Sequence, residues 1–226
     1  EIFELFNRMS IPDHPDEYRG EMKIGAIASA QTGFLPQALL RLRQRAPSVE
    51  AKLMPGVSLN LLSQLDAGEL DAAILIKPPF ELPKELHVQV LETEPFVLIT
   101  PLDIAEQDPL RILAEQPHVR YDRASFGGRQ VTQFLREQRI EVRVVLELDE
   151  LDAIVKFVES GLGVALIPRA GLWLERDARV RVIGLGEMTF FRQVVLLMRR
   201  TQRDLPLHKL FAQCLARDAQ SVKSAD

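Results

Sequence analysis

Apolar residues along the chain recur with two periods, near two residues and near three and a half, and the switches between them mark out the elements. Met22 to Ile27 has the length and alternation of a strand, and Phe34 to Arg45 reads as a helix. In that helix Leu35, Ala38, Leu39 and Leu42 form one apolar stripe, with Arg41, Arg43, Gln44 and Arg45 mostly off it. Val49 to Met54 is a second strand, Ser58 can cap a helix carrying Leu61, Leu62 and Leu65, Gly68 can end it, and Asp71 to Ile76 is a short apolar strand. The prolines at 78, 79 and 83 predict an irregular connection before a strand at Phe96 to Thr100, and the chain is expected to leave this first unit at Pro101.

The same rhythm then repeats. A strand is expected near Val119 to Asp122, a Gly-rich turn at Phe126-Gly127-Gly128, a helix with Val131, Phe134 and Leu135, and a strand at Val142 to Leu148. Asp149 can cap a helix whose Leu151, Ile154, Val155 and Val158 face inward, Gly161 stops it, and Val164 to Ile167 is a strand closed by Pro168. After Val180 to Ile183, a strand at Val194 to Met198 leads to a last helix with Pro206 in its first turn and a stripe ending at Leu215. Strands alternating with helices at this pitch imply parallel pairing through helical crossovers. The last helix lacks a nearby strand partner in sequence, so a return to the first unit is expected, and with it two crossings between units. Residues 1–9 place Ile2, Phe6 and Met9 on one helical face before Pro12 and Pro15 break it, which reads as a helix tail and linker.

Composition narrows the class. With 46% apolar and 27% charged residues the chain can bury a substantial core, and 28 basic against 32 acidic side chains disfavour wrapping of a phosphate backbone by this segment. The single cysteine, Cys214, cannot form an internal disulfide and falls on the apolar stripe of the last helix, which fits a cytoplasmic protein. No apolar run approaches the ~20 residues of a membrane helix. The chain opens at Glu1 within a helical pattern and without an initiator methionine, so an upstream segment is expected. Histidines at 14, 87, 118 and 208 are scattered, and neither a metal nor any other cofactor is expected.

Three stretches carry a family resemblance: Gly20-Glu21-Met22-Lys23-Ile24-Gly25, the Phe34-Leu35-Pro36 start of the first long helix, and Gly68-Glu69-Leu70-Asp71-Ala72-Ala73-Ile74. Together with Gly161-Leu162-Gly163-Val164-Ala165-Leu166-Ile167-Pro168, they resemble the effector-binding domain of LysR-type transcriptional regulators, in order and spacing, over about residues 20 to 215. The resemblance implies an α/β fold of the periplasmic-binding-protein type II kind, two Rossmann-like lobes joined by two crossover strands. It makes residues 1–19 the end of a linker helix and linker, 20–100 and 194–226 the first lobe, and 101–193 the second. It further implies a homodimer or homotetramer that meets DNA only through an upstream winged helix-turn-helix.

In lobes of this kind a small molecule binds beyond the carboxyl ends of the strands, where helix N-termini present unpaired N–H donors. Two segments are placed there: Ser29-Ala30-Gln31-Thr32 and Pro55-Gly56-Val57-Ser58. Ser29, Gln31, Thr32 and Ser58 are therefore candidate ligand contacts, although a hydroxyl at a helix start caps the helix equally well. From the second lobe come Arg123, Ser125 and Phe126, with Phe126 as the pocket floor and Arg123 either pairing with a carboxylate or lying solvated. Asp149 stands at a helix start as contact or cap, and Ile99 and Ile167 shape the pocket or serve as strand-end packing. Hydroxyls, helix starts and an arginine around one cleft point to a small organic anion, a carboxylate, as effector.

Two other classes remain open from sequence. A solute-binding protein of a transport system would share the clamshell and need a signal peptide or lipid-anchor cysteine ahead of Glu1. An enzyme would need a converging acid and base, for which only Asp149 and Glu150 offer themselves.

Overall fold

The computed structural model describes residues 18–216; of the helix tail and linker expected at residues 1–19, all but the last two residues lie outside them. Strand β1 (Gly20–Ala26) leads through a short helix α1 (Ala28–Thr32) into α2 (Leu35–Arg45), then β2 (Val49–Pro55), α3 (Ser58–Asp66) and β3 (Ala72–Ile76). β1 pairs in parallel with both β2 and β3. α2 buries Leu35, Ala38 and Leu42 on the predicted stripe, while every residue of β3 is buried, as expected of a strand covered on both faces. α1 was absent from the sequence reading because five residues are too few for a periodic stripe.

The region of prolines holds the largest departure from expectation. Phe96–Thr100 is the second half of a 15-residue strand, β4 (Leu86–Thr100). Its first half pairs antiparallel with β9 (Phe191–Arg199), with an irregularity between Val90 and Glu92, and its second half pairs with β7 (Ala165–Pro168) and β8 (Arg181–Gly184). Leu86 and Leu91 pack in a first core with β1, β3 and α2, whereas Phe96, Val97, Leu98 and Ile99 pack in a second core. The chain changes core inside β4, ahead of the Pro101 at which the exit was expected. Periodicity hid this because the strand's first half faces solvent on alternate positions and carries Gln89, Glu92 and Glu94.

The second core is built around β4, β7 and a parallel pair, β5 (Pro117–Tyr121) with β6 (Arg143–Leu148), joined to the start of β7 by a bridge between His118 and Val164. Helices α4 (Pro109–Glu115), α5 (Phe126–Glu137) and α6 (Leu151–Glu159) contribute to it, and α6 buries the predicted Leu151, Ile154, Val155 and Val158. Gly127 and Gly128 are not a turn. They form the first turn of α5, capped by the Ser125 hydroxyl, which accepts from the Gly128 N–H at 3.0 Å. A Cβ on Gly128 would lie 1.8 Å from the Asp122 carbonyl oxygen, so only glycine lets the helix start this close to the end of β5.

β9 then returns the chain to the first core, and α7 (Pro206–Leu215) packs there through Leu210, Phe211, Cys214 and Leu215. The expected return and the two crossings, β4 and β9, are both present. The architecture is the α/β periplasmic-binding type II kind, two lobes on one continuous path of hydrogen-bonded strands, β2-β1-β3-β9-β4-β7.

Candidate functional site

Between the two cores lies a cavity of about 390 Å³ whose walls come from both. The first lobe gives Ile27, Ser29 and Gln31 around the start of α1, the segment Pro55 to Ser58 ahead of α3, and Ile76 at the end of β3. The second gives Tyr121 at the end of β5, Ser125 at the cap of α5, and Asp149, Glu150 and Leu151 at the start of α6. All of these follow carboxyl ends of strands, where successive turns put helix N-termini against one opening.

The helix starts are mostly uncapped by side chains. Ile27, Val57 and Glu150 are the N-cap residues of α1, α3 and α6, and none accepts a capping hydrogen bond. Unlike a cap, Ser58 is the first residue of α3 and its Oγ accepts from the Ile76 N–H at 3.2 Å, tying α3 to the end of β3. Ser58 also lines the cavity, and its hydroxyl has no acceptor among the described residues. Gln31 donates to the Ala26 carbonyl at 2.7 Å, which fixes its amide at the wall.

At the junction of the lobes sits a group that sequence reasoning missed. Arg192, on crossover strand β9, is 1% exposed. It donates through Nε to Glu94 of β4 at 2.5 Å, through Nη1 to the Tyr121 hydroxyl at 3.1 Å and through Nη2 to Ser29 Oγ at 2.9 Å. Glu94 and Arg192 are directly opposite in the β4–β9 register. Burial works against the guanidinium charge, but the Tyr121 oxygen and Glu94 outweigh it and hold Arg192 protonated. Tyr121 itself is pushed up to about 12 by burial, so it stays a neutral phenol. One planar cation thus binds a residue from each lobe and the opposite crossover strand.

The signal for Arg192 was present in the sequence: at strand period it shares a face with Val194, Leu196 and Met198, all buried, and a charge on a buried face needs a partner. The apolar run starting at Val194 obscured it.

Of the other residues singled out from sequence, Ser29, Gln31, Ser58, Ser125 and Asp149 line the cavity, and Thr32, Ile99, Arg123, Phe126 and Ile167 do not. Thr32 is exposed and donates to the Ala28 carbonyl. Arg123 is committed to Glu147 of β6, with Nη2 2.7 Å from Oε2; that guanidinium brings the Glu147 carboxyl down to about 2. Phe126 is no floor. It meets Phe80 edge-on with ring centroids 5.8 Å apart and packs with the first core, closing the lobes together beside the cavity. Ile99 and Ile167 are fully buried strand residues of the second core.

Asp149 and Glu150 both have carboxyls pushed up by burial. Asp149 does not cap α6, and its Oδ1 is buried without a hydrogen-bond partner among the described residues. Among the described residues no group of three or more His, Cys, Asp or Glu side chains is placed to hold a metal ion. No described helix is long and apolar enough to cross a membrane.

A family model described as the LysR substrate binding domain matches residues 15–220. Among curated proteins, the chain is 32% identical over 172 residues to the HTH-type transcriptional regulator IlvR of Caulobacter vibrioides, covering 74% of this chain and 57% of that protein. It is 29% identical over 200 residues to the HTH-type transcriptional regulator TtuA of Agrobacterium vitis, covering 86% and 62%. The matched segment is therefore under two thirds of the length of either relative. Among solved structures, the effector-binding domain of QuiR in complex with shikimate superposes with a TM-score of 0.76 at 16% identity, covering 88% of this chain and 96% of that one. The Synechocystis PCC6803 CcmR regulatory domain in complex with 2-PG does so with a TM-score of 0.76 at 20% identity, covering 87% and 96%. These two likenesses speak to the fold, and the family match, over nearly the whole described chain, speaks to descent. This chain belongs to the LysR substrate-binding domain family.

Proposed function

We propose that the cavity between the lobes is the sensing site, and that it takes up a small organic carboxylate whose binding favours one lobe arrangement over another. The observation that carries this reading is the buried Arg192, which holds Ser29 of the first lobe and Tyr121 of the second at the cavity wall. A ligand that engages Ser29, Gln31 and Ser58 on one side and Ser125 and Asp149 on the other has different contacts in open and closed forms, and only such a difference shifts the balance between them. Uncapped N–H groups at the start of α3 and the Ser58 hydroxyl supply donors for a carboxylate.

In this reading the chain is cytoplasmic, belongs to a homodimer or homotetramer, performs no catalysis, and reaches DNA through a helix-turn-helix domain outside these 226 residues. The first lobe comprises the chain up to the middle of β4 together with β9 and α7, and the second lobe the segment between. The test is a thermal-shift panel of small carboxylates, amines and neutral compounds on this chain, followed by small-angle scattering with any stabilising compound. Stabilisation by a carboxylate, with a smaller radius of gyration, is the expected result; stabilisation by neutral or cationic compounds alone overturns the carboxylate reading.

A further inference from the structure

The ionisable side chains lining the cavity are two carboxyls, Asp149 and Glu150, the neutral phenol of Tyr121 and one guanidinium, Arg192, and the Arg192 charge is already matched by Glu94. A plain mono- or dicarboxylate would bring further negative charge to a wall that has no unmatched cation among the described residues. Asp149 is half-buried, and of the two hydroxyls near it, those of Tyr121 and Ser125, the Ser125 one donates to the Asp122 carbonyl at 2.8 Å. Asp149 Oδ1 is left without a donor among the described residues. Buried acceptors in native structures are almost always paired, and an orphan at a cavity wall calls for a donor from outside the protein.

We infer that the effector is an amino acid with an apolar side chain, its ammonium group recognised by Asp149 and its carboxylate by the first-lobe hydroxyls and N–H groups opposite. This rests on the carboxylate reading above and adds the second charge that the wall requires. The apolar part of the ligand has Ile27, Ile76 and Leu151 to lie against. The arrangement divides recognition between the lobes, the carboxylate at Ser29 and Ser58 and the ammonium at the start of α6, so that only a molecule with both groups draws the two walls together. A bound ammonium would offset the burial that raises the proton affinity of Asp149 and favour its ionised form.

Four compounds of nearly the same shape separate the contributions: L-leucine, 4-methylpentanoate, which lacks the amine, 2-hydroxy-4-methylpentanoate, which replaces it with a hydroxyl, and 3-methylbutylamine, which lacks the carboxylate. Their affinities for the 226-residue chain and for Asp149→Asn are measured by calorimetry, with the basal melting temperature of each protein as the check on folding. L-leucine is expected to bind at least about tenfold tighter than any of the other three, and Asp149→Asn to remove its advantage over 4-methylpentanoate. If Asp149→Asn fails to fold, Asp149→Ser is read the same way.

Equal binding of the deaminated acid, an advantage unchanged in the Asp149 variant, a preference for the hydroxy acid, or no binding of any of the four overturns the inference. A carboxylate without an amine that binds in the wider panel then leaves the proposed function standing. If no carboxylate of any kind binds, both readings fall.

Discussion

The Arg192 guanidinium donates to Ser29 Oγ at 2.9 Å across 163 residues of chain, and the same group holds Glu94 on the neighbouring crossover strand. A cation this deeply buried is tolerated only while its partners stay in place. Arg192→Met leaves Glu94, 14% exposed in its side chain, without its counter-charge, and a loss of about 3–5 kcal/mol is expected in urea unfolding. The double variant Arg192→Met with Glu94→Gln should recover much of that loss. A double variant no more stable than Arg192→Met alone would show that the ion pair is not the source.

Ser29→Ala removes one acceptor of a charged hydrogen bond while keeping the pair with Glu94. Basal stability should fall by about 1–3 kcal/mol, and the stabilisation conferred by any cavity ligand should fall with it. A full ligand effect on a destabilised background would restrict Ser29 to holding Arg192.

Much of the fold was legible because helices α2, α6 and α7 each carry an uninterrupted apolar stripe, and the strands between them are short and apolar. The site was legible in part: the positions beyond strand ends follow from the alternation of elements, which is how Ser29, Ser58, Ser125 and Asp149 came into view. What stayed hidden depends on long-range register. Nothing near Glu94 or Arg192 in sequence announces that β4 continues back to Leu86 and sets the two side chains opposite each other. Likewise Arg123 looked free because its partner, Glu147, arrives from the next strand over.

Gly128→Ala puts a methyl group into the Asp122 carbonyl, which is backbone and cannot swing away. A destabilisation of about 1–3 kcal/mol, or failure to fold, is expected, with disturbance of the Ser125 cap and so of the cavity wall. Circular dichroism melting reads the first, and loss of ligand binding in the surviving folded fraction reads the second.

Acid should unfold the chain partly through Glu159, whose carboxyl is brought down to about 2 chiefly by Arg176 and then Lys156. Because the folded value lies below the ordinary 4.5, this contribution is complete above about pH 4.5 and is lost as pH falls toward 2. Glu159→Gln should flatten the stability profile in that window and cost about 1–3 kcal/mol at neutral pH, chiefly through the partly buried pair with Arg176, since Lys156 is exposed.

Asp149 has the opposite sign. Burial raises its proton affinity in the folded chain, so its contribution is most favourable below the ordinary carboxylate range and declines as pH rises through the raised value. Asp149→Asn should therefore make the ligand-free chain more stable at neutral pH, within the about 0.5–2 kcal/mol typical of single stabilising changes. A loss of stability would indicate that the carboxylate holds the α6 start together.

The antiparallel pairing of β4 and β9 along the whole passage from one lobe to the other sets the kinematics of the molecule. Two independent tethers would let the lobes slide, separate or turn about several axes. A hydrogen-bonded ribbon resists shear and stretching and gives way mainly to twist and bend, most readily where the ladder slips between Val90 and Glu92. Occupancy of the cavity would then reach the rest of the protein as an angle, a single rotational coordinate.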